Sequence, residues 1–164
     1  MPDELLIAIG SGNTVSLKDV TEACPDINAS GSRVDRTVLM AAAFAGNVDL
    51  IKDLVEYGAD VNATNRDGMT ALHEAAGMGR IEAIKLLLDS HANIESEACY
   101  GETALILAAA HGELDAVKTL LDSGADVLHR DTTGATAEVI AESKDEAEVV
   151  ALLRKAETGN RLLD

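Results

Sequence analysis

Residues 68–76 read Gly68-Met69-Thr70-Ala71-Leu72-His73-Glu74-Ala75-Ala76, and this stretch decides the fold because its pattern returns along the chain. The residues that recur every 33 positions are Gly68, Gly101 and Gly134; Thr37, Thr70, Thr103 and Thr136; Ala42, Ala75, Ala108 and Ala141; and Leu54, Leu87, Leu120 and Leu153. Residues 37–153 keep this period without insertion or deletion. Residues 5–29 fit the pattern at an offset of 34, so the one extra residue lies between positions 29 and 39. A fixed period of this length is typical of repeat proteins.

Each unit of the repeat is predicted to form two short helices followed by an extended loop. In the unit at 68–100, Thr70 is a favourable N-cap for a first helix over 71–78, which Gly79 ends. Apolar residues at helical spacing predict a second helix over 81–90. Helices of about eight residues are not stable alone in water, so neighbouring pairs must stack. The sequence therefore predicts an all-α solenoid of about four and a half units.

These residues resemble the ankyrin repeat, whose pattern runs Gly-x-Thr-Pro-Leu-His-x-Ala-Ala and later Gly-Ala-Asp-Val-Asn-Ala. Residues 68–76 match the first part except for Ala71 in the proline place, and residues 58–63 match the second part completely. The resemblance extends over residues 1–156, nearly the whole chain. It implies an ankyrin-repeat α-solenoid of stacked helix–turn–helix pairs with β-hairpin loops called fingers. It also implies a concave face, made by first helices and fingers, that binds other proteins.

The chain is expected to be a single ankyrin-repeat domain over residues 1–164. Its last unit carries Glu138, Glu142 and Asp145 where earlier units have apolar residues or glycine, which suits a terminal cap facing water. The predicted divisions are an N-terminal capping repeat at 1–34, full repeats at 35–67, 68–100 and 101–133, a C-terminal capping repeat at 134–156, and a tail at 157–164.

The composition is acidic and poor in aromatic residues. Thirteen basic residues stand against 29 acidic ones, a net charge of −16 that is spread evenly along the repeats. This charge disfavours binding to nucleic acid or to an anionic membrane surface. It is typical of a solvated surface, and the alternative is that it attracts a basic partner protein. The start of the chain lacks a basic segment typical of a signal peptide, and no apolar run is long enough to span a membrane. We therefore expect a cytoplasmic protein, and a nuclear location is left open.

No pattern of reactive residues predicts catalysis or a bound metal. Cys24 and Cys99 are 75 positions apart and form no Cys-x-x-Cys motif. The four histidines fall at four different repeat positions, and His73-Glu74 lacks the second histidine of a zinc-protease motif. We therefore expect no cofactor, no metal site and no enzymatic activity.

The expected function is protein binding through the concave face and fingers, as an adaptor or a stoichiometric inhibitor, by a chain that is monomeric on its own. The alternative is an enzyme, or a non-catalytic regulatory subunit of one, with a site on the concave face.

Contact hot spots favour aromatic residues and arginine. The predicted partner-binding residues are Arg33, Arg36, Phe44, Arg66, Asp67, Met69, Met78, Tyr100, Glu102 and His111. Phe44 and Tyr100 are the expected anchors, whereas Tyr57 maps to the convex side. The alternative for Phe44 is that it packs against a neighbouring helix.

Overall fold

A computed structural model describes residues 3–31 and 35–160, which contain ten helices and no β-strand. The helices are α1 Asp3–Gly10, α2 Leu17–Ala23, α3 Val38–Ala45, α4 Val48–Tyr57, α5 Ala71–Gly77, α6 Ile81–Asp89, α7 Ala104–Ala110, α8 Leu114–Asp122, α9 Ala137–Ser143 and α10 Ala147–Asn160. They form five pairs, in which the odd-numbered helix is the first helix and the even-numbered one is the second. No helix in the described part of the chain is long and apolar enough to cross a membrane.

The repeated threonine begins the first helices as the sequence predicts. The Thr37 hydroxyl accepts a hydrogen bond from the backbone N–H of Met40 at 3.2 Å, which satisfies one of the free donors at the start of α3. Thr70 and Thr136 accept the equivalent bonds in α5 and α9. Thr103 differs, because its fully buried hydroxyl oxygen has no hydrogen-bond partner among the described residues.

The core lies between two stacked layers of helices. Each first helix packs on the first helices of the neighbouring pairs, and each second helix packs on the neighbouring second helices. The repeated alanines of the first helices are completely buried and allow close approach of the helices: Ala42, Ala75, Ala108 and Ala141. The repeated leucines of the second helices are equally buried: Leu54, Leu87, Leu120 and Leu153. The predicted ankyrin-type solenoid is therefore confirmed.

Three residues with side chains occupy repeat positions where other units have glycine. Asp35, His91 and Asp145 have left-handed backbone angles, with φ of +47°, +67° and +62°. The expectation of a positive φ at His91 is confirmed. Aspartate and histidine tolerate this region better than most residues but less well than glycine.

The fingers are hairpin-shaped turns without paired strands in the described residues. Backbone hydrogen bonds close them, among them those from Asn65 N–H to Met69 O at 3.1 Å and from Ala98 N–H to Glu102 O at 2.9 Å. The Cys99 N–H donates to Asp67 O at 2.7 Å, which joins the second finger to the third. These bonds hold successive fingers in register.

Candidate partner-binding groove

Three successive fingers and the start of α5 enclose a groove of about 660 Å³. We call it the finger groove. Its lining residues are Asp35, Arg36, Asn65, Asp67, Met69, Glu74, Ala98, Cys99, Tyr100 and Glu102. Five of the ten predicted contact residues lie on it: Arg36, Asp67, Met69, Tyr100 and Glu102.

The wall between the first and second fingers is held by Asp35. Its left-handed backbone places the carboxylate where Oδ2 accepts the Arg66 backbone N–H at 3.0 Å. The Arg66 Nε atom lies 3.7 Å from Asp35 Oδ1, within ion-pair range but too far for a hydrogen bond. Asp35 Oδ1 is buried and accepts no hydrogen bond from the described residues.

A charged pair lies between the first finger and α5. Arg36 donates to both carboxylate oxygens of Glu74, from Nε at 2.5 Å and from Nη2 at 3.1 Å. The guanidinium also lies over the Phe44 ring, 4.4 Å from its centre. Only 9% of the Glu74 side chain and 28% of the Arg36 side chain are exposed. A two-point pair with so little exposure fixes the orientation of both groups, because Arg presents its donors in a rigid fork.

His73 braces the third finger from below. Its Nε2–H donates to the Glu102 carbonyl at 3.0 Å. Since a carbonyl only accepts, the proton is on Nε2, and Nδ1 accepts from the Thr70 hydroxyl at 2.9 Å and from the Thr70 N–H at 3.2 Å. Burial lowers the pKa of His73 and outweighs the carbonyls of Glu102 and Ser96, which act in the opposite direction. The neutral imidazole therefore supports the backbone at Glu102.

The outer part of the finger groove has side chains with free polar groups. Tyr100 is 69% exposed. The Glu102 carboxylate makes no hydrogen bond or ion pair with a described residue, and the Asp67 carboxylate has only the Cys99 thiol at 3.9 Å. These groups are available to a partner.

The other predicted contact residues lie outside this lining. Phe44 is half-buried under Arg36. The Phe44 ring also lies beside Gly10, at 3.9 Å from the place that a Cβ on this glycine would take. Phe44 therefore packs toward α1 as well as toward the groove floor. Arg66 is exposed beside the groove. Met78 and His111 follow the far ends of α5 and α7. Arg33 lies outside the described residues.

Sequence reasoning missed five groove residues, which are Asp35, Asn65, Glu74, Ala98 and Cys99. Two of them leave a signal in the sequence. Glu74 is the one charged residue at a repeat position that elsewhere holds Ala41, Leu107 and Ile140. Asp35 stands at the position of the finger-tip glycines. Cys99 belongs to no sequence motif, and its place in the groove depends on the fold.

The groove offers little reactive chemistry. No cluster of three metal-binding side chains exists among residues 3–31 and 35–160. The Cys99 thiol lies near the Arg66 carbonyl and the Asp67 carboxylate, at 3.8 and 3.9 Å.

Stacked helix pairs with fingers along one edge define a solenoid repeat protein. The family model described as ankyrin repeats, in three copies, matches residues 5–98, 39–131 and 91–161. The chain belongs to the ankyrin-repeat family, whose repeats are protein–protein interaction modules.

Several curated proteins are similar to part of the chain. The Notch-regulated ankyrin repeat-containing proteins of Xenopus laevis and Homo sapiens are each 37% identical over 70 residues, which is 40% of this chain and 60% of the relative. Protein phosphatase 1 regulatory subunit 12B of Mus musculus is 49% identical over 39 residues, which is 24% of this chain and 4% of that protein. The chain thus matches less than two thirds of the length of these relatives.

Proposed function

We propose that the chain is a non-catalytic protein-binding module, acting as an adaptor or a stoichiometric inhibitor, that contacts its partner through the finger groove and the concave face beside it. The observation that carries the proposal is the combination of an exposed Tyr100 and free carboxylates on a groove whose walls are already fixed. A rigid surface loses little conformational entropy when it binds, which favours affinity.

The pre-organisation rests on bonds between repeats. Asp35 ties the first finger to the second, the Cys99 N–H ties the second to the third, and His73 supports the third from α5. Because each bond joins neighbouring fingers or a finger and a neighbouring helix, the groove is assembled by the stacking that builds the solenoid.

A photo-cross-linking experiment tests where the partner lies. A benzoylphenylalanine residue is placed at position 100 in one variant and at position 57 in another, since Tyr100 and Tyr57 are both exposed, by 69% and 59%. Each variant is irradiated in lysate of the source cells with and without excess unlabelled chain. We expect the variant with the probe at position 100 to give a cross-linked product that excess unlabelled chain abolishes. We expect no such product from the variant with the probe at position 57. A competed product at position 57 alone would place the partner on the convex side and contradict the proposal.

Alanine substitutions then measure the contribution of each anchor to binding of the identified partner. We expect Tyr100→Ala to weaken binding by about 1–2 kcal/mol, on the scale of a hot-spot aromatic, and Tyr57→Ala to have no effect. Phe44→Ala tests the floor of the groove, because the ring supports Arg36. Each variant must first show a cooperative thermal transition like that of the wild type. Binding by Phe44→Ala and Tyr100→Ala within about 0.5 kcal/mol of wild type would exclude the concave-face site.

A further inference from the structure

The finger groove has an excess of negative charge that its own residues do not neutralise. Four of its lining residues are acidic and Arg36 is its one basic residue. Arg36 is fully engaged with Glu74. Asp35 lies in ion-pair range of Arg66, which is outside the lining. The remaining acidic groups are Asp67 and Glu102, so a partner that carries positive charge is favoured at this surface.

The groove floor already shows how this surface holds an arginine. The Arg36 guanidinium lies over an aromatic ring, 4.4 Å from the centre of Phe44, and it is also paired with the Glu74 carboxylate. An aromatic ring makes a cation–π contact with the face of a guanidinium, and a carboxylate accepts hydrogen bonds from its N–H groups.

A second set of the same chemical groups lies in the outer part of the groove, and no cation of residues 3–31 or 35–160 pairs with it. Tyr100 supplies an exposed aromatic ring, and Asp67 and Glu102 supply carboxylates that no described cation pairs. The Asp35 carboxylate differs, because it accepts the Arg66 N–H and lies in ion-pair range of the Arg66 side chain.

We propose that an arginine of an extended partner segment binds in this outer part of the groove, with its guanidinium against Tyr100 and between the carboxylates of Asp67 and Glu102. This inference rests on the protein-binding function proposed above. Arginine fits better than lysine because its planar fork donates to two carboxylates while its face contacts the ring. A phosphate-bearing ligand is repelled by the same carboxylates and by the chain's net charge of −16.

Short synthetic peptides test the arginine requirement directly. The probe is a peptide with one central arginine between leucines. A second peptide has citrulline at that place, which keeps the shape and removes the charge, and a third has lysine. Each is titrated at millimolar concentration into nitrogen-15-labelled full-length chain. We expect shifts of the backbone amides of residues 67 and 99–102, with the arginine peptide binding at least fivefold more tightly than the citrulline peptide and measurably more tightly than the lysine peptide.

Two double variants with the same change in net charge provide the matched comparison. Asp67→Asn with Glu102→Gln removes the groove carboxylates, whereas Glu82→Gln with Asp115→Asn removes two carboxylates that line a separate surface between α6 and α8. The amide spectrum of each variant shows whether it is folded. We expect the preference for arginine over citrulline to disappear in the groove variant and to persist in the other one.

Several outcomes would overturn the proposal. The first is equal binding of the arginine and citrulline peptides, and the second is no binding of either peptide. The third is an equal loss of the preference for arginine over citrulline in both double variants, which would indicate general attraction to an acidic chain. If position 100 still cross-links the cellular partner in those cases, the groove is the binding site and only the arginine assignment is wrong. Cross-linking at position 57 alone would instead remove the proposed function.

Discussion

His91 has a left-handed backbone at the repeat position where Gly58 and Gly124 stand. Its side chain is exposed and makes no hydrogen bond with a described residue, so nothing compensates the clash of its Cβ. We expect His91→Gly to raise the free energy of unfolding by about 0.5–1 kcal/mol, the relief of strain less the entropy that glycine loses on folding. Urea denaturation at constant pH measures the change.

Asp35 offers the comparison for this prediction. It also has a positive φ, but its carboxylate accepts the Arg66 N–H, which glycine cannot replace. Asp35→Gly should therefore give no stabilisation. A loss of stability in His91→Gly would show that His91 makes a contact that its exposed position does not indicate.

His73 makes the stability of the fold depend on pH. The folded-state pKa of His73 is lowered by burial, so the unfolded chain takes up a proton at a higher pH than the folded chain does. The stabilisation from the neutral ring is fully present above the unfolded pKa near 6.5 and is lost as the pH falls through the folded pKa. Protonation of Nδ1 would also end its acceptance of hydrogen bonds from Thr70.

The expected result is that His73→Gln is less stable than wild type at pH 8 and that this difference shrinks toward pH 5. Urea denaturation curves across that range measure it. His111→Gln is the control, because His111 is exposed and its ring bonds only the Leu107 carbonyl of its own helix. A His73→Gln difference that stays constant with pH would show that the ring is protonated equally in both states.

At the scale of the helix, small residues set the distance between first helices. Ala75 is completely buried in α5, which packs between α3 and α7. Ala75→Leu should lower the free energy of unfolding by about 1–3 kcal/mol, because the added atoms have no space without moving a neighbouring helix. Ala151→Leu is the matched control, since Ala151 is exposed on α10. Thermal and urea denaturation of both variants test this, and equal stability of the two would mean that the first helices can separate at little cost.

The sequence predicts the helices well and the groove only in part. The predicted helices 71–78 and 81–90 correspond to α5, which ends at Gly77, and α6, which ends at Asp89. The helices can be predicted because the same residue types recur at the same positions in every repeat, so each repeat independently predicts the same helix bounds. The last helix continues to Asn160, past the predicted end of the capping repeat at 156.

The groove was harder to predict because its residues come from different repeats. The pairing of Arg36 with Glu74 joins residues 38 positions apart, and their meeting depends on how one unit stacks on the next. The bond between Asp35 and Arg66 joins the two ends of one repeat, 31 positions apart, and depends on how the first finger lies beside the second. Repeat alignment shows which residues are unusual for their position, but it does not show which unusual residues face each other.

At the scale of the whole molecule, the distribution of charge opposes compactness. The excess of acidic residues is spread over all units and gives a net charge of −16. Several ion pairs are exposed, such as Lys18–Glu22 and Lys52–Glu56, and pairs of this kind contribute about 0.3–0.5 kcal/mol each. Arg154 pairs with Glu138 and Glu142 across the C-terminal capping helices, and these carboxylates raise the pKa of Arg154. These local attractions are few, so repulsion among like charges is expected to dominate.

Added salt should therefore stabilise this protein. Raising NaCl from about 10 mM to about 300 mM shortens the screening length from about 30 Å to below 10 Å, which weakens long-range repulsion more than contacts at ion-pair distance. We expect the free energy of unfolding at pH 7.5 to rise by about 1 kcal/mol, as measured by thermal and urea denaturation. Repeating the series near pH 4.4, the isoelectric point, is the control, because the net charge is then close to zero and the gain should vanish. A fall in the free energy of unfolding with salt at pH 7.5 would contradict this expectation. It would mean that the ion pairs of Arg154 and the exposed pairs Lys18–Glu22 and Lys52–Glu56 outweigh the repulsion among the acidic residues.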